Sequence, residues 1–296
     1  MSAYTPGAGN NQALWFAPAL FVFLWSSGFI VARLGIPYAE PFTFLALRMA
    51  LAAVLLLGLC AVTRTPWPGS WRAVGHAAIA GLLVHGLYLG GVFSAVAHKT
   101  PLGQIALIAG LQPILTAFLA KPLFGERLSL RQWSGMALGF AGVALVVSAK
   151  TGSEIAAPAG LAFCVVALLG ITAGTLYQKR YCANMDLRSG GMIQFAASGL
   201  LFWLGALVLE TRVVIWSGEF IFALGWATLV MSLGAITLLY LLIRKGAAAK
   251  VASLFFLTPP VTAAMAFVLF YEKLTLTALA GMAVTALGVA LVVRGR

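Results

Sequence analysis

Ten long apolar stretches follow one another along this 296-residue chain, and short polar turns separate them. A helix needs about 17–25 mostly apolar residues to cross a membrane, and each stretch has such a length. The predicted spans cover residues 14–34, 42–62, 73–96, 102–123, 130–149, 158–178, 189–209, 220–243, 247–270 and 275–293. The sequence therefore predicts an all-α membrane protein of ten transmembrane helices, and it leaves no room for a separate soluble domain.

Composition excludes the other broad classes of protein. Apolar residues make up 62% of the chain and charged residues only 9%, whereas soluble domains carry about 25% charged residues. The net charge of +12 comes from basic residues scattered between the apolar stretches, which is typical of membrane topology and not of a nucleic-acid groove. We expect membrane lipid and a small-molecule substrate as partners, and no nucleic acid.

The basic residues predict how the chain is oriented. If both termini are cytoplasmic, the inner connections and the C-terminus hold thirteen Lys and Arg residues and the outer connections hold five. Cytoplasmic loops of membrane proteins carry such an excess. The sequence therefore predicts a multi-pass inner-membrane protein with both termini in the cytoplasm.

The chain is an internal duplication. A shift of 146 residues places Pro113 on Pro259 and Glu126 on Glu272, and about half of the positions from 113 to 147 are then identical. Because each copy holds five helices, an odd number, the second copy enters the membrane from the opposite side. The prediction is two inverted five-helix repeats around a central cavity, with the substrate near the midplane. The predicted parts are a polar N-terminal tail (1–13), the first repeat (14–150) and the second repeat (151–296).

Several motifs resemble one known family. They are the Trp25-Ser26-Ser27-Gly28-Phe29 stretch, Arg48 in the second helix, and the Pro…Glu pattern present in both halves. Together they resemble the EamA-type branch of the drug/metabolite transporter superfamily, which includes bacterial exporters of aromatic and neutral amino acids and of metabolites. The resemblance covers essentially the whole chain and implies export of small metabolites, amino acids among them, through a central cavity.

Polar and aromatic side chains within the spans are the candidates for substrate contact. A strongly polar group there costs about 2.5–3.5 kcal/mol on insertion scales, so it normally faces a cavity or a partner. His85 and Tyr88 share one helix face, and His85 alternatively bonds a neighbouring backbone. Ser26 and Ser27 alternatively serve close helix packing. The predicted substrate-binding set is Trp25, Ser26, Ser27, His85, Tyr88, Gln104, Gln112 and Tyr177.

A second set is predicted to form hinges or gates. Pro113 and the pair Pro259 and Pro260 interrupt helical hydrogen bonding at matching points of the two halves, and a static bend is the alternative. Arg48 either anchors its helix or meets a substrate carboxylate, and anchoring is favoured because its repeat equivalent is Gln194. His76 is placed at an inner vestibule. Glu126 and Glu272 are interpreted as acids that close short turns, and the glycines spaced by seven as a contact between the fifth and tenth helices, within the chain or across a dimer.

Other functions have weaker support in the sequence. It carries none of the common metalloprotease, nucleophile-elbow or Walker motifs, so we predict no enzyme, no cofactor and no metal. A channel is disfavoured because the repeat is inverted, and nucleotide-sugars would need more cations than Arg48. The sequence favours a secondary carrier that exports amino acids or similar metabolites by alternating access, as a monomer or a weak homodimer, with drugs or nucleotide-sugars as alternative cargo.

Overall fold

A computed structural model describes residues 12–149, 157–271 and 274–295. Within them the chain forms ten long helices, close to the predicted spans. These are α1 (Gln12–Gly35), α2 (Pro41–Val62), α3 (Trp71–Ala97), α4 (Gln104–Phe124), α5 (Leu130–Ser148), α6 (Pro158–Tyr181), α7 (Leu187–Leu209), α8 (Gly218–Lys245), α9 (Ala248–Leu269) and α10 (Leu276–Arg294). Nearly all of the predicted tail 1–13 lies outside the described residues, as do Lys150, Glu154, Glu272, Lys273 and Arg296.

Nine of these helices have the length and apolar composition of a membrane span, and the apolar part of α1, Phe16–Ala32, is a shorter tenth. The chain is therefore a multi-pass membrane protein. Helices suit this setting because their backbone groups bond to each other when no water is present. Among the described residues the β-structure is limited to one bridge, between Ala39 and Val214.

Local signals fix where several helices begin. At the start of α5, Gln132 Oε1 accepts from the Ser129 backbone N–H at 2.9 Å, which satisfies a donor at the helix start. The repeat-equivalent Thr275 caps α10 by accepting from the Ala278 N–H at 3.1 Å. Equivalent helices thus start at equivalent residues, as a duplication predicts.

The helix contacts between the two halves follow the repeat. The most extensive contacts join α5 to α10 and α2 to α7, and both pairs consist of repeat equivalents. In the same way α1 packs on α8 and α9, while its equivalent α6 packs on α3 and α4. Such reciprocal packing is what a pseudo-twofold axis in the membrane plane produces. It leaves α1, α3, α4, α6, α8 and α9 around the centre of the molecule.

Glycines allow α5 and α10 to pack in direct backbone contact within the chain. A Cβ atom on Gly142 would lie 2.5 Å from the Thr285 backbone nitrogen and 2.7 Å from the Gly281 carbonyl oxygen. The position on Gly281, which faces Gly142 across the contact, is equally closed, with the Gly142 carbonyl oxygen at 2.8 Å. Small residues commonly permit such approach between membrane helices.

Substitution of Gly142 tests this contact. We expect Gly142→Ala to lower stability by about 1–3 kcal/mol, as overpacking does in closed interiors. The control is Gly58→Ala in α2, where a Cβ meets nothing within 4 Å. Thermal unfolding of the two purified variants in detergent measures the difference. Equal melting temperatures would contradict the packing described.

Candidate functional site

Four of the central helices are irregular, and they are irregular in matched pairs. α3 widens into π-helical turns at Leu82–Leu89, and α8 does so at Ala227–Ala235, almost the same positions after the 146-residue shift. α4 is interrupted after Ala109 and resumes at Gln112. Its equivalent α9 tightens into a 3₁₀ turn at Leu254–Leu257. Each irregularity lies near the middle of its span, where a bilayer tolerates it only inside protein or beside a cavity.

The prolines explain two of these irregularities. Pro113 and Pro259 stand just after the interruptions of α4 and α9. A proline cannot donate to the carbonyl four residues earlier, and its ring clashes with that carbonyl. In α9 the Thr258 N–H instead bonds the Phe255 carbonyl, three residues back. Pro260 follows as a buried residue of the same helix.

Three adjoining cavities cross the centre of the molecule. Ten spans put both chain ends on one side of the membrane, which we call the terminal side. The arginine cavity extends from mid-membrane toward the opposite side and is lined by Arg48, His85 and Phe93, among others. The central cavity lies between the interruptions of α4 and α9. The threonine cavity continues toward the terminal side beside Thr116 and Thr175.

Aromatic side chains separate these cavities. Trp25 and Tyr88 line both the arginine and the central cavities, and their rings stack with centroids 5.9 Å apart. Phe255 lines both the central and the threonine cavities, and it meets Trp25 edge-on at 5.1 Å. The three cavities together form a column, and these three rings lie at the boundaries between its parts.

Arg48 is a buried cation in the arginine cavity. It is 4% exposed, and its Nε donates to Ser232 Oγ on α8 at 3.0 Å. This is the only hydrogen bond of Arg48 within the described parts of the chain, where it also forms no ion pair. The structure therefore places on the cavity wall a residue for which the sequence favoured helix anchoring.

The acidic side chains that the structure describes are all engaged elsewhere. Hydrogen bonds from Thr211 hold the pKa of the Glu40 carboxyl below its usual value, and those from Arg188 do the same for Asp186. The other pairs are Glu126 with Lys179, Glu210 with the first backbone N–H groups of α2, and Glu219 with Tyr38. None of these acids lines the three cavities.

His85 lies on the widened part of α3, one turn before Tyr88. Its side chain is 1% exposed, and its ring stacks on Phe195 with centroids 4.6 Å apart. Neither ring nitrogen has a hydrogen-bond partner among the described residues. The backbone bond that the sequence offered as an alternative for His85 is therefore not made by the described residues.

The central cavity carries a matched pair of polar groups. Gln112 and Thr258 are repeat equivalents, and both are buried at the interruptions of α4 and α9. Gln112 Nε2 donates to Thr116 Oγ1 at 3.2 Å, whereas Gln112 Oε1 and Thr258 Oγ1 have no partner in the described structure. Sequence analysis missed Thr258, although its equivalence to Gln112 was a usable signal.

The repeat equivalent of Arg48 has a different environment. Gln194 Nε2 donates to Gln178 Oε1 at 3.0 Å, and Tyr240 OH donates to Gln194 Oε1 at 2.6 Å. This buried network lies toward the terminal side, and none of its three members lines the cavities described above. The two halves thus place a cation in one position and a closed amide network in the other.

Other predicted site residues lie away from the column. The Ser26 and Ser27 hydroxyls bond carbonyls of their own helix, and Trp226 Nε1 donates to Ser27 Oγ at 2.9 Å. Ser26 Oγ also donates to the Thr258 carbonyl of α9 at 3.4 Å, so both serines join helices, the alternative that the sequence had kept open. Tyr177 OH bonds His76 Nδ1 at 2.7 Å near the terminal side. Ser26, Ser27, Tyr177, His76 and Gln104 line none of the three cavities.

A polar cluster lies at the terminal side, beyond the threonine cavity. Glu126, in the turn between α4 and α5, accepts from Lys179 Nζ at 2.7 Å and from the Ala248 N–H at 2.9 Å. Lys179 Nζ also donates to the Gly246 carbonyl at 2.9 Å. The cluster ties the end of α6 to the start of α9. Glu126 therefore does more than close a turn.

Comparison with known proteins gives one consistent result. The pattern of the EamA-like transporter family matches residues 13–148 and again residues 158–294. The chain is 26% identical over 278 residues to an uncharacterized inner membrane transporter of Escherichia coli (strain K12), covering 94% of this chain and 89% of that one. It is 25% identical over 279 residues to an uncharacterized transporter of Bacillus subtilis (strain 168), covering 93% and 89%.

Two further matches concern function and fold. A probable amino-acid metabolite efflux pump of Salmonella typhimurium is 25% identical over 199 residues, which is 66% of this chain and 64% of that protein. A solved crystal structure superposes with a TM-score of 0.76 at 20% identity over 95% of this chain and 96% of the other. At that identity the superposition shows the fold alone.

The contrast between His85 and Gln194 gives a stability prediction. Replacing a buried polar group that has no partner is neutral or stabilising, whereas breaking a satisfied network costs about 1–3 kcal/mol. We expect His85→Leu to keep or raise the melting temperature of the ligand-free protein and Gln194→Leu to lower it. Thermal unfolding in detergent compares the two. A larger loss for His85→Leu would show that this side chain has a structural partner.

Proposed function

This chain belongs to the EamA-like transporter family, and we propose that it is a secondary carrier that exports amino acids or similarly small metabolites by alternating access. The observation that carries the proposal is the column of three cavities between repeat-related irregular helices. A carrier of this kind needs a central site and two gates that open in turn. Inverted repeats supply both, because each half can adopt the conformation of the other.

The cluster at the terminal side supports a gate. Glu126 and Lys179 link α4, α6 and α9, the helices that line the central and threonine cavities. Their repeat equivalents in the sequence are Glu272 and Arg33. We infer that separation of Glu126 from Lys179 opens the terminal side as the repeats exchange conformations.

Direction and cargo rest on different observations. The excess of Lys and Arg on the terminal side supports a cytoplasmic position for both chain ends, and a relative carries the name inner membrane transporter. Export of amino acids is supported by the similarity to a probable amino-acid metabolite efflux pump. The cavity walls, which combine aromatic rings with a few polar groups, suit solutes that have both an apolar and a polar part.

Transport by the purified protein is the first test. We expect proteoliposomes to show saturable uptake of labelled phenylalanine or leucine that is accelerated by unlabelled amino acid on the other side. Acceleration from the far side requires a site that alternates, so it separates a carrier from a channel. Protein-free liposomes are the control. Flux that rises linearly with concentration and ignores the far side would contradict the proposal.

Accessibility of single cysteines tests the gate. Phe93 lines the arginine cavity and its repeat equivalent Leu239 lines the threonine cavity. In a variant lacking the three native cysteines, we expect Glu126→Gln to speed maleimide labelling of Leu239→Cys severalfold and to slow that of Phe93→Cys. The loss of the charge pair destabilises closure at the terminal side only. Parallel changes at both cysteines would contradict alternating access.

A further inference from the structure

The arginine cavity holds a positive charge that no acidic side chain of the described residues compensates. A buried guanidinium without a counter-ion is costly in an apolar interior, and proteins normally pair it. Within the described residues the only hydrogen bond of Arg48 uses Nε, with Ser232 as acceptor. The two terminal nitrogens of the guanidinium therefore remain for another acceptor, and they form the fork that matches a carboxylate.

His85 is a second, independent indication of a ligand. It comes from α3 whereas Arg48 comes from α2, yet both line the same cavity. An imidazole that is 1% exposed and has no partner for either nitrogen is rare, because buried polar groups are normally bonded. The π-helical turns of Leu82–Leu89 carry both His85 and Tyr88. Three polar side chains thus line a cavity whose other walls are mostly apolar.

We propose that the arginine cavity is a carboxylate-binding subsite, in which Arg48 and His85 hold the anionic end of the cargo. The guanidinium binds both carboxylate oxygens, and the imidazole donates one further hydrogen bond. The indole of Trp25 and the side chains of Phe93 and Met231 cover the apolar part of the solute. This inference rests on the proposed transport function and narrows its substrate class.

The same geometry predicts which charged group of the solute is bound more strongly. No acidic side chain of the described residues lines the three cavities, so a positive group on the solute finds only aromatic faces and neutral oxygens. Cation–π contact and the Gln112 amide oxygen are weaker partners than a carboxylate. The carboxylate of an amino acid therefore dominates its recognition, and its ammonium group contributes less. We therefore expect lipophilic cations to bind more weakly than solutes that carry a carboxylate.

Three ligands that differ by one charged group test this proposal. They are phenylalanine, 3-phenylpropionate, which lacks the ammonium group, and phenylalaninamide, which lacks the carboxylate. We expect titration calorimetry on the full chain in detergent to detect the first two, with phenylalaninamide at least tenfold weaker. Equal or tighter binding of phenylalaninamide overturns the proposal, and so does no binding of all three.

Variants connect the binding to the two residues. We expect Arg48→Gln to weaken phenylalanine binding at least tenfold and Arg48→Lys to recover only part of it, because an ammonium group lacks the fork. The control is Arg131→Gln, which removes the same charge from an exposed position at the start of α5. If Arg48→Gln fails to fold, His85→Phe serves instead and should weaken binding while the protein stays folded. Unchanged affinity in the variant that folds overturns the proposal.

Two further measurements separate the possible outcomes. If chloride raises the melting temperature as much as 3-phenylpropionate at equal concentration, the cavity is an inorganic-anion site and the proposal is wrong. Phenylalanine transport in proteoliposomes is scored independently of binding. Arg48-dependent carboxylate binding without amino-acid transport would support the subsite and contradict the amino-acid assignment. Transport of phenylalanine together with a preference for phenylalaninamide would support the transport function and contradict the carboxylate subsite.

Discussion

The bilayer imposes one requirement on which the rest of this structure depends: a polar group inside it must find its partner within the protein. Regular helices meet the requirement along most of the chain. The exceptions are concentrated at one depth, where α3, α4, α8 and α9 lose regular geometry and surround the cavities. Arg48, His85, Gln112 and Thr258 line these cavities and have hydrogen-bonding atoms without a partner among the described residues. These unused groups are the observations on which the proposed carboxylate subsite rests.

Duplication explains the scaffold, and divergence between the copies explains the site. The α5–α10 glycine contact, the paired interruptions of α4 and α9, and the paired π-helical turns of α3 and α8 are common to both halves. The polar residues of the arginine cavity have no such counterparts, because Gln194 replaces Arg48, Met231 replaces His85 and Gly234 replaces Tyr88. In the proposed carrier, symmetry serves the conformational change, and divergence between the copies places Arg48 in the arginine cavity.

The sequence predicted the architecture well because hydrophobic length and repeat register leave direct traces in it. The third span was predicted at 73–96 and is found at Trp71–Ala97, and the prolines marked the interruptions of α4 and α9. The π-helical turns left no trace, because no residue type specifies them and they depend on packing between helices. For the same reason the sequence alone did not separate Ser26, which joins two helices, from Trp25, which lines the cavities.

The proposed transport mechanism requires that the two repeats exchange conformations. Spin labels on Leu123 and Lys245 report the width of the terminal side, and labels on their repeat equivalents Leu269 and Lys99 report the opposite side; all four positions are exposed. Electron–electron double resonance in proteoliposomes, with and without a transported amino acid, measures both distances. The account predicts that the two distances shift in opposite directions when the amino acid is added. Distances that change together, or that both stay fixed while transport proceeds, would contradict it.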